Sequence, residues 1–259
     1  NRSNIFYVPY PLNTSKWNPT ILSSEEKNDG IFRFLFMNTP FERKGIDLLI
    51  VAWLQEFKKD EPVELVIKTY QENKQVIPKN LISIIANRHK LSFSKAAPIK
   101  IYDQAMNDDE IPSFMKNFDA LVSPHRSEGF GMNPWYAMAL GIPVICTNYG
   151  GTTDFAKQDL AWLVDISNLS TPSAFECSIF PNLRGIQWAE PDLENLKKQM
   201  RNCYNDALAR KQKAELAAKY VRDNFNDEVV EKMMKEAMHS KMPNLWEELT
   251  RTSIPIPPK

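Results

Sequence analysis

The chain has no surplus of either charge: 32 Lys plus Arg face 32 Asp plus Glu, and the net charge is zero. That balance argues against binding driven by bulk electrostatics, whether to nucleic acid or to an anionic membrane, and leaves room only for local patches. Cysteine is scarce. Cys146, Cys177 and Cys203 are odd in number and far apart, so neither a disulfide framework nor a zinc spacing can be read from them. Such usage suits a reducing, cytoplasmic compartment. Long apolar runs are missing too: residues 48–54 form one of the longest, far short of a membrane span, and no signal peptide opens the chain. No Asp, Glu and His cluster has metal-ligand spacing, so no metal or other cofactor is expected. There is no internal repeat or low-complexity tract. The first residue is Asn1 rather than Met, which suggests a piece of a longer polypeptide.

What is present is enough for a substantial core, with 259 residues of which 43% are hydrophobic. The apolar run at 32–37 reads as a strand buried on both faces and that at 143–146 as another buried strand, while runs at 64–68, 99–102, 120–122 and 160–164 read as further strands. Helical patterns alternate with them. One carries Ile46, Leu49, Ile50, Trp53, Leu54 and Phe57, a second covers 81–89, and a third covers 110–117, capped by Asp108 or Asp109. This alternation predicts an α/β fold: a Rossmann-like parallel sheet flanked by helices, followed by extra C-terminal helices. Residues 4–9 are expected to add a short edge strand, and residues 166–187 a long loop or hairpin. Trp188 to Pro191 reads as packing plus a helix start. Helices then follow at about 191–208, 212–222 and 227–240. The organisation expected is a leading linker (1–30), one ligand-binding domain (31–225), and a terminal helix with a mobile Pro-rich tail (226–259).

The richest stretch is Ser127-Glu128-Gly129-Phe130-Gly131-Met132-Asn133-Pro134. It joins a strand to a short helix running to Leu140. Asn133 is suited to cap that helix, Pro134 to its first position and Gly141 to its left-handed end. A second glycine pair, Gly150 and Gly151, follows the next strand. Strand, glycine loop and helix N-terminus together form a geometry that binds phosphates, through free amides and the helix dipole. Glycine at strand–helix turns also serves steric needs alone. In an open parallel sheet, however, ligands sit beyond the carboxyl ends of the strands. Both glycine loops and the pair Arg43-Lys44 lie there.

Arg43-Lys44-Gly45-Ile46-Asp47-Leu48-Leu49, Glu110-Ile111-Pro112-Ser113-Phe114, Glu128-Gly129-Phe130-Gly131 and Ala137-Met138-Ala139-Leu140-Gly141-Ile142-Pro143-Val144-Ile145 together resemble the C-terminal, donor-binding half of a GT-B glycosyltransferase. The group most similar is the large retaining family 4, also called glycosyl transferases group 1, and the likeness covers roughly residues 5–222. It implies a nucleotide sugar as donor substrate, and a glycan, lipid or protein acceptor held by a missing N-terminal domain. It implies no nucleic-acid partner, no metal at the diphosphate, and a site on the cytoplasmic side, with any membrane attachment carried by the other half.

The resemblance also implies roles. Lys44 would contact the donor diphosphate, and Glu128 the hydroxyls of the transferred sugar; these are the catalytic candidates. Arg43, Gly129, Phe130, Gly131, Met132, Asn133, Tyr136, Gly150 and Gly151 would bind the donor or shape its wall. The bland alternatives are a solvated lysine at a helix start and an ordinary acid at a helix entrance. Two departures stand out. The family's second glutamate, eight residues after the first, is Tyr136 here, and a phenol lacks a carboxylate's charge and two-oxygen grip on ribose. An arginine common before the lysine is replaced by Asn38 and Thr39. The runner-up functions are another enzyme on the same fold, such as an epimerase or a phosphorylase, and a non-catalytic module that has lost donor binding. His125 reads as structural, with a place at the pocket edge as the alternative.

Overall fold

A computed structural model describes residues 6–21, 29–69 and 80–241. Six parallel strands make one sheet: β1 (Phe32–Met37), β2 (Val63–Thr69), β3 (Ile99–Asp103), β4 (Ala120–Ser123), β5 (Val144–Thr147) and β6 (Trp162–Val164). Their spatial order is β3-β2-β1-β4-β5-β6, so the order reverses between β1 and β4. Phe34 lies opposite both Leu65 and Ala120, and Leu35 opposite both Val66 and Leu121. Three consecutive residues of β1, Phe34, Leu35 and Phe36, are buried, because helices cover both faces of the sheet. The α/β, Rossmann-like expectation holds.

The helices are α1 (Ile46–Glu56), α2 (Leu81–Arg88), α3 (Ile111–Met115), α4 (Met132–Ala139), α5 (Ala174–Ile179), α6 (Leu193–Asn205), α7 (Ala207–Asn224) and α8 (Asp227–Lys241). On one face, Trp53 and its neighbours on α1 pack with Phe34, Phe57 and the Leu196, Met200 and Cys203 side of α6. The Trp53 indole N–H donates to the Ala97 carbonyl at 3.0 Å, so this large ring is buried without an unpaired donor. The other face carries Trp135, Met138 and Leu140 from the α4 region and Ala217 and Val221 from α7. Leu12 and Trp17 of the leading segment join that second core.

Local sequence rules and the structure part company at several points. The described part of the expected edge strand, residues 6–9, forms no strand; Leu12 instead makes an isolated bridge with Asn226. The helix expected at 110–117 is shorter, and neither Asp108 nor Asp109 caps it. Asp109 pairs with Lys16 at 2.9 Å, so a tertiary ion pair outcompetes the local cap. Trp188 to Pro191 is not a helix start but strand β8, antiparallel to β7 (Ile166–Ser170), with α5 carried between them. The helix start shifts to Asp192, whose side chain accepts from the Asn195 amide at 2.7 Å. The chain then breaks at Asp206, which caps α7 by accepting from the Ala209 amide at 2.8 Å. The polar stretch around 22–28 and the Pro-rich tail lie outside the described residues. No described helix is long and apolar enough to cross a membrane.

Candidate active site

The reversal of strand order between β1 and β4 leaves a crevice at the carboxyl ends of those strands. Two loops meet there: residues 38–45 after β1 and 124–131 after β4. Residues Glu42–Lys44 form a tight turn, and Gly45 closes it in the left-handed region at φ 74°. A Cβ on Gly45 would lie 1.9 Å from the Pro124 carbonyl oxygen, so only glycine lets the two loops touch. The Arg126 amide donates to the Arg43 carbonyl at 2.9 Å, tying the loops together.

That contact sets Lys44 against Glu128. Their side chains form an ion pair and are only 12% and 11% exposed. Burial pushes the Lys44 pKa down, and the Glu128 carboxylate restores part of it. A cleft of about 400 Å³ opens over the pair, lined also by Phe130, Gly131, Met132 and Asn133. Gly131 stands at φ 94° before the first turn of α4, and no side chain caps that turn. The positive end of α4 therefore faces the cleft beside the Lys44 ammonium, a field suited to an anion. Asn133 does not cap α4 as expected. The helix begins two residues earlier, and the Asn133 amide donates to the Met37 carbonyl, fastening α4 to the end of β1.

The remaining predicted residues stand around this cleft rather than in it. Arg43 donates to the Ser127 carbonyl at 3.3 Å. Gly150 and Gly151 support the loop from behind. The Gly151 amide donates to the Glu128 carbonyl at 3.0 Å, and a Cβ there would sit 2.0 Å from the Gly129 carbonyl oxygen. Gly129 itself has nothing within 4 Å of a built Cβ. Tyr136 stacks on Trp17, ring centroids 3.6 Å apart and planes 5° apart, and contributes to packing the leading segment. His125 is buried, with Nδ1 3.0 Å from the Ser123 carbonyl oxygen and Nε2 3.1 Å from that of Tyr149. It bridges β4 to the 149–152 turn, and burial pushes its pKa down. Two lining residues were not among the predicted site residues. Asn38 follows β1, and Tyr10 stands 59% exposed at the rim, edge-on to Phe130 at 5.3 Å. Nothing in the pattern around Tyr10 marks it, because only folding brings it there. Among the described residues, no group of three or more His, Cys, Asp or Glu could hold a metal ion.

A six-stranded parallel sheet with helices on both faces and a cleft at its switch point is a Rossmann-like architecture, the fold seen in solved glycosyltransferase structures. The chain belongs to the family glycosyl transferases group 1, whose family model matches residues 18–170, more than half of its length. It is similar to an uncharacterized glycosyltransferase of Methanocaldococcus jannaschii, 34% identical over 125 residues, which is 48% of this chain and 31% of that one. It is also similar to the O-antigen biosynthesis glycosyltransferase WclY of Escherichia coli, 31% identical over 133 residues, 50% of this chain and 32% of that one. The chain spans about a third of the length of these relatives. Among solved structures, a glycosyltransferase from Rickettsia africae ESF-5 superposes with TM-score 0.65 at 16% identity, over 98% of this chain and 59% of that one. Anabaena HepE in complex with UDP-glucose superposes with TM-score 0.57 at 19% identity, over 81% and 49% of the two chains. At these identities the superpositions speak for the fold alone.

Proposed function

We propose that this chain is the donor-binding domain of a retaining, family 4-type glycosyltransferase. It takes the sugar of a nucleoside-diphosphate sugar to an acceptor held by a domain outside this chain. The observation that carries the reading is the meeting of Lys44 and Glu128, 84 residues apart in sequence, in one cleft at the open N-terminus of α4. HepE, which superposes on this chain, is described in complex with UDP-glucose, and WclY acts in O-antigen biosynthesis. The first description agrees with a sugar nucleotide as donor, and the second with glycosyl transfer.

The chemistry follows from charge. As the bond from anomeric carbon to diphosphate lengthens, negative charge grows on the leaving phosphate and positive charge on the sugar. Lys44 and the α4 N-terminus face the first, and a preorganised field at a developing charge lowers the barrier. Glu128 accepts hydrogen bonds from sugar hydroxyls. The donor therefore trades places with the Lys44–Glu128 ion pair: phosphate takes the ammonium, and hydroxyls take the carboxylate. No metal enters this scheme, because the lysine and the helix supply the positive field. The test is transfer of a labelled sugar by the full-length protein. Wild type transfers and Glu128→Gln does not; undiminished transfer by the variant overturns the assignment.

One observation favours a second reading, a module with weakened donor binding. Tyr136 stands where the family's second glutamate grips ribose, and its ring is committed to Trp17. Substituting Tyr136→Glu is expected to cost about 1 kcal/mol of stability through the lost stack. It is expected to raise nucleotide affinity severalfold. Calorimetry and thermal melts read both effects. Unchanged affinity would show that this position does not reach the ribose.

A further inference from the structure

We infer that Glu176 and Arg126 are positioning residues for Lys44, forming a clamp that grips the main chain of the 42–44 turn from both sides. Glu176 belongs to α5, on the excursion between β7 and β8, 134 residues from the turn it meets. Its side chain is fully buried. One carboxylate oxygen accepts from the Glu42 amide and the other from the Arg43 amide, both at 3.2 Å. Arg126 works from the opposite side. Its guanidinium donates to the Glu42 carbonyl at 2.6 Å, to Asp47 at 2.7 and 2.9 Å, and to Glu190 at 2.8 and 2.7 Å. Both polar groups of the Glu42 main chain are thus held by charged side chains, two residues before Lys44. The edge-on contact of Phe41 with Phe180, at 5.0 Å, closes the same seam.

The two jaws differ in how they answer to acid. Burial pulls the Arg126 pKa down, but hydrogen bonds to Glu190 and Asp47 more than offset it, so that jaw stays charged at any working pH. Burial pushes the Glu176 pKa up, against the two amides that favour the carboxylate. The charged groups facing it are Glu42, which raises it further, and Arg43, which lowers it. Once protonated, one Glu176 oxygen becomes a donor and repels the amide it served. The sign for stability runs the other way. A carboxyl whose folded pKa is raised contributes stability below its unfolded pKa, and that contribution is lost as pH rises through the folded one. Protonation of Glu176 therefore loosens the Lys44 turn without this group itself lowering the stability of the fold.

The functional consequence rests on the donor-site reading, while the clamp itself can be read without any ligand. In Glu176→Gln the uncharged side chain accepts one amide and turns an NH2 against the other. Amide NMR of the 259-residue chain is expected to show the Glu42 and Arg43 resonances titrating in wild type, with an apparent pKa above the ordinary glutamate range. In the variant that titration is absent, and exchange at both amides is faster. The melting temperature at pH 7 is expected to stay level or rise, whereas UDP affinity falls about tenfold and no longer weakens on acidification through this group. A merely structural glutamate would lower the melting temperature instead. Unchanged amide titration and exchange in the variant overturn the clamp, whether or not UDP binds. UDP binding by wild type with equal affinity in the variant overturns its role in placing Lys44. Absence of UDP binding in wild type, with the amide titration present, counts against the donor reading and leaves the clamp supported.

Discussion

Gly45→Ala is expected to destabilise the protein by about 3–5 kcal/mol, one of the largest effects available to a single methyl group. Two costs add. The backbone at φ 74° sits in the left-handed region, which costs a residue with a Cβ about 1–2 kcal/mol. The new methyl would also stand 1.9 Å from the Pro124 carbonyl oxygen, and that atom belongs to the backbone of the other loop. No side-chain rotation relieves the clash, so the two loops must part, and Lys44 leaves Glu128 with them. For a domain of this size the melting temperature should fall by roughly 10 °C. The control is Gly129→Ala on the neighbouring loop, where a built Cβ meets nothing within 4 Å. Its stability should change by less than about 0.5 kcal/mol. Because Gly129 is assigned to the donor wall, the same variant should weaken nucleotide binding at unchanged melting temperature. Equal stability of the two variants would refute the loop contact.

The second large effect concerns the Lys44–Glu128 pair. Lys44→Met in the full-length protein is expected to lower kcat/KM for transfer by about a hundredfold or more. Stability should follow a different course. Removing one partner leaves the other charge about nine-tenths covered and unpaired, which costs about 2–3 kcal/mol in either Lys44→Met or Glu128→Gln. Removing both should restore the wild-type melting temperature or exceed it. The sign comes from Lys44, whose pKa is lowered mainly by burial. A base with a lowered folded pKa loses stability while charged, so at neutral pH the ammonium is held at a cost, and the neutral pair is free of it. A double variant that is stable and inactive would mark the pair as kept for function rather than for folding. Additive destabilisation, the double variant melting lower than either single, would contradict this.

The sequence made the sheet and the cleft's two charged residues legible, and physics explains which parts were not. The strands β1, β2, β4, β5 and β6 are short, mostly buried runs, a pattern that needs no tertiary information, whereas the edge strand β3 is exposed from residue 100 to 103. Lys44, Glu128, Phe130, Gly131, Met132 and Asn133 were found from motif residues and meet at one cleft. What failed were rules that assume a polar side chain serves its own turn. Asn133 fits a helix cap locally, yet Met37 on a neighbouring strand takes its amide. Asp109 was drawn off by Lys16 in the same way. Trp188 to Pro191 precedes a good capping aspartate and so resembled a helix start; its pairing with β7 depends on a partner some twenty residues upstream. Tyr10, Arg126 and Glu176 act on the cleft or its walls through contacts that no local pattern encodes.

The measurement closest to the central claim is calorimetric titration of this chain with UDP, GDP and ADP and their sugar conjugates, repeated on Lys44→Ala and Glu128→Ala. A donor domain predicts saturable binding of one nucleotide series. Lys44→Ala should lose most of the affinity for the free diphosphate, and Glu128→Ala should selectively lose the increment contributed by the sugar. A folded chain that binds none of them, or binds one equally well after both substitutions, would contradict the account.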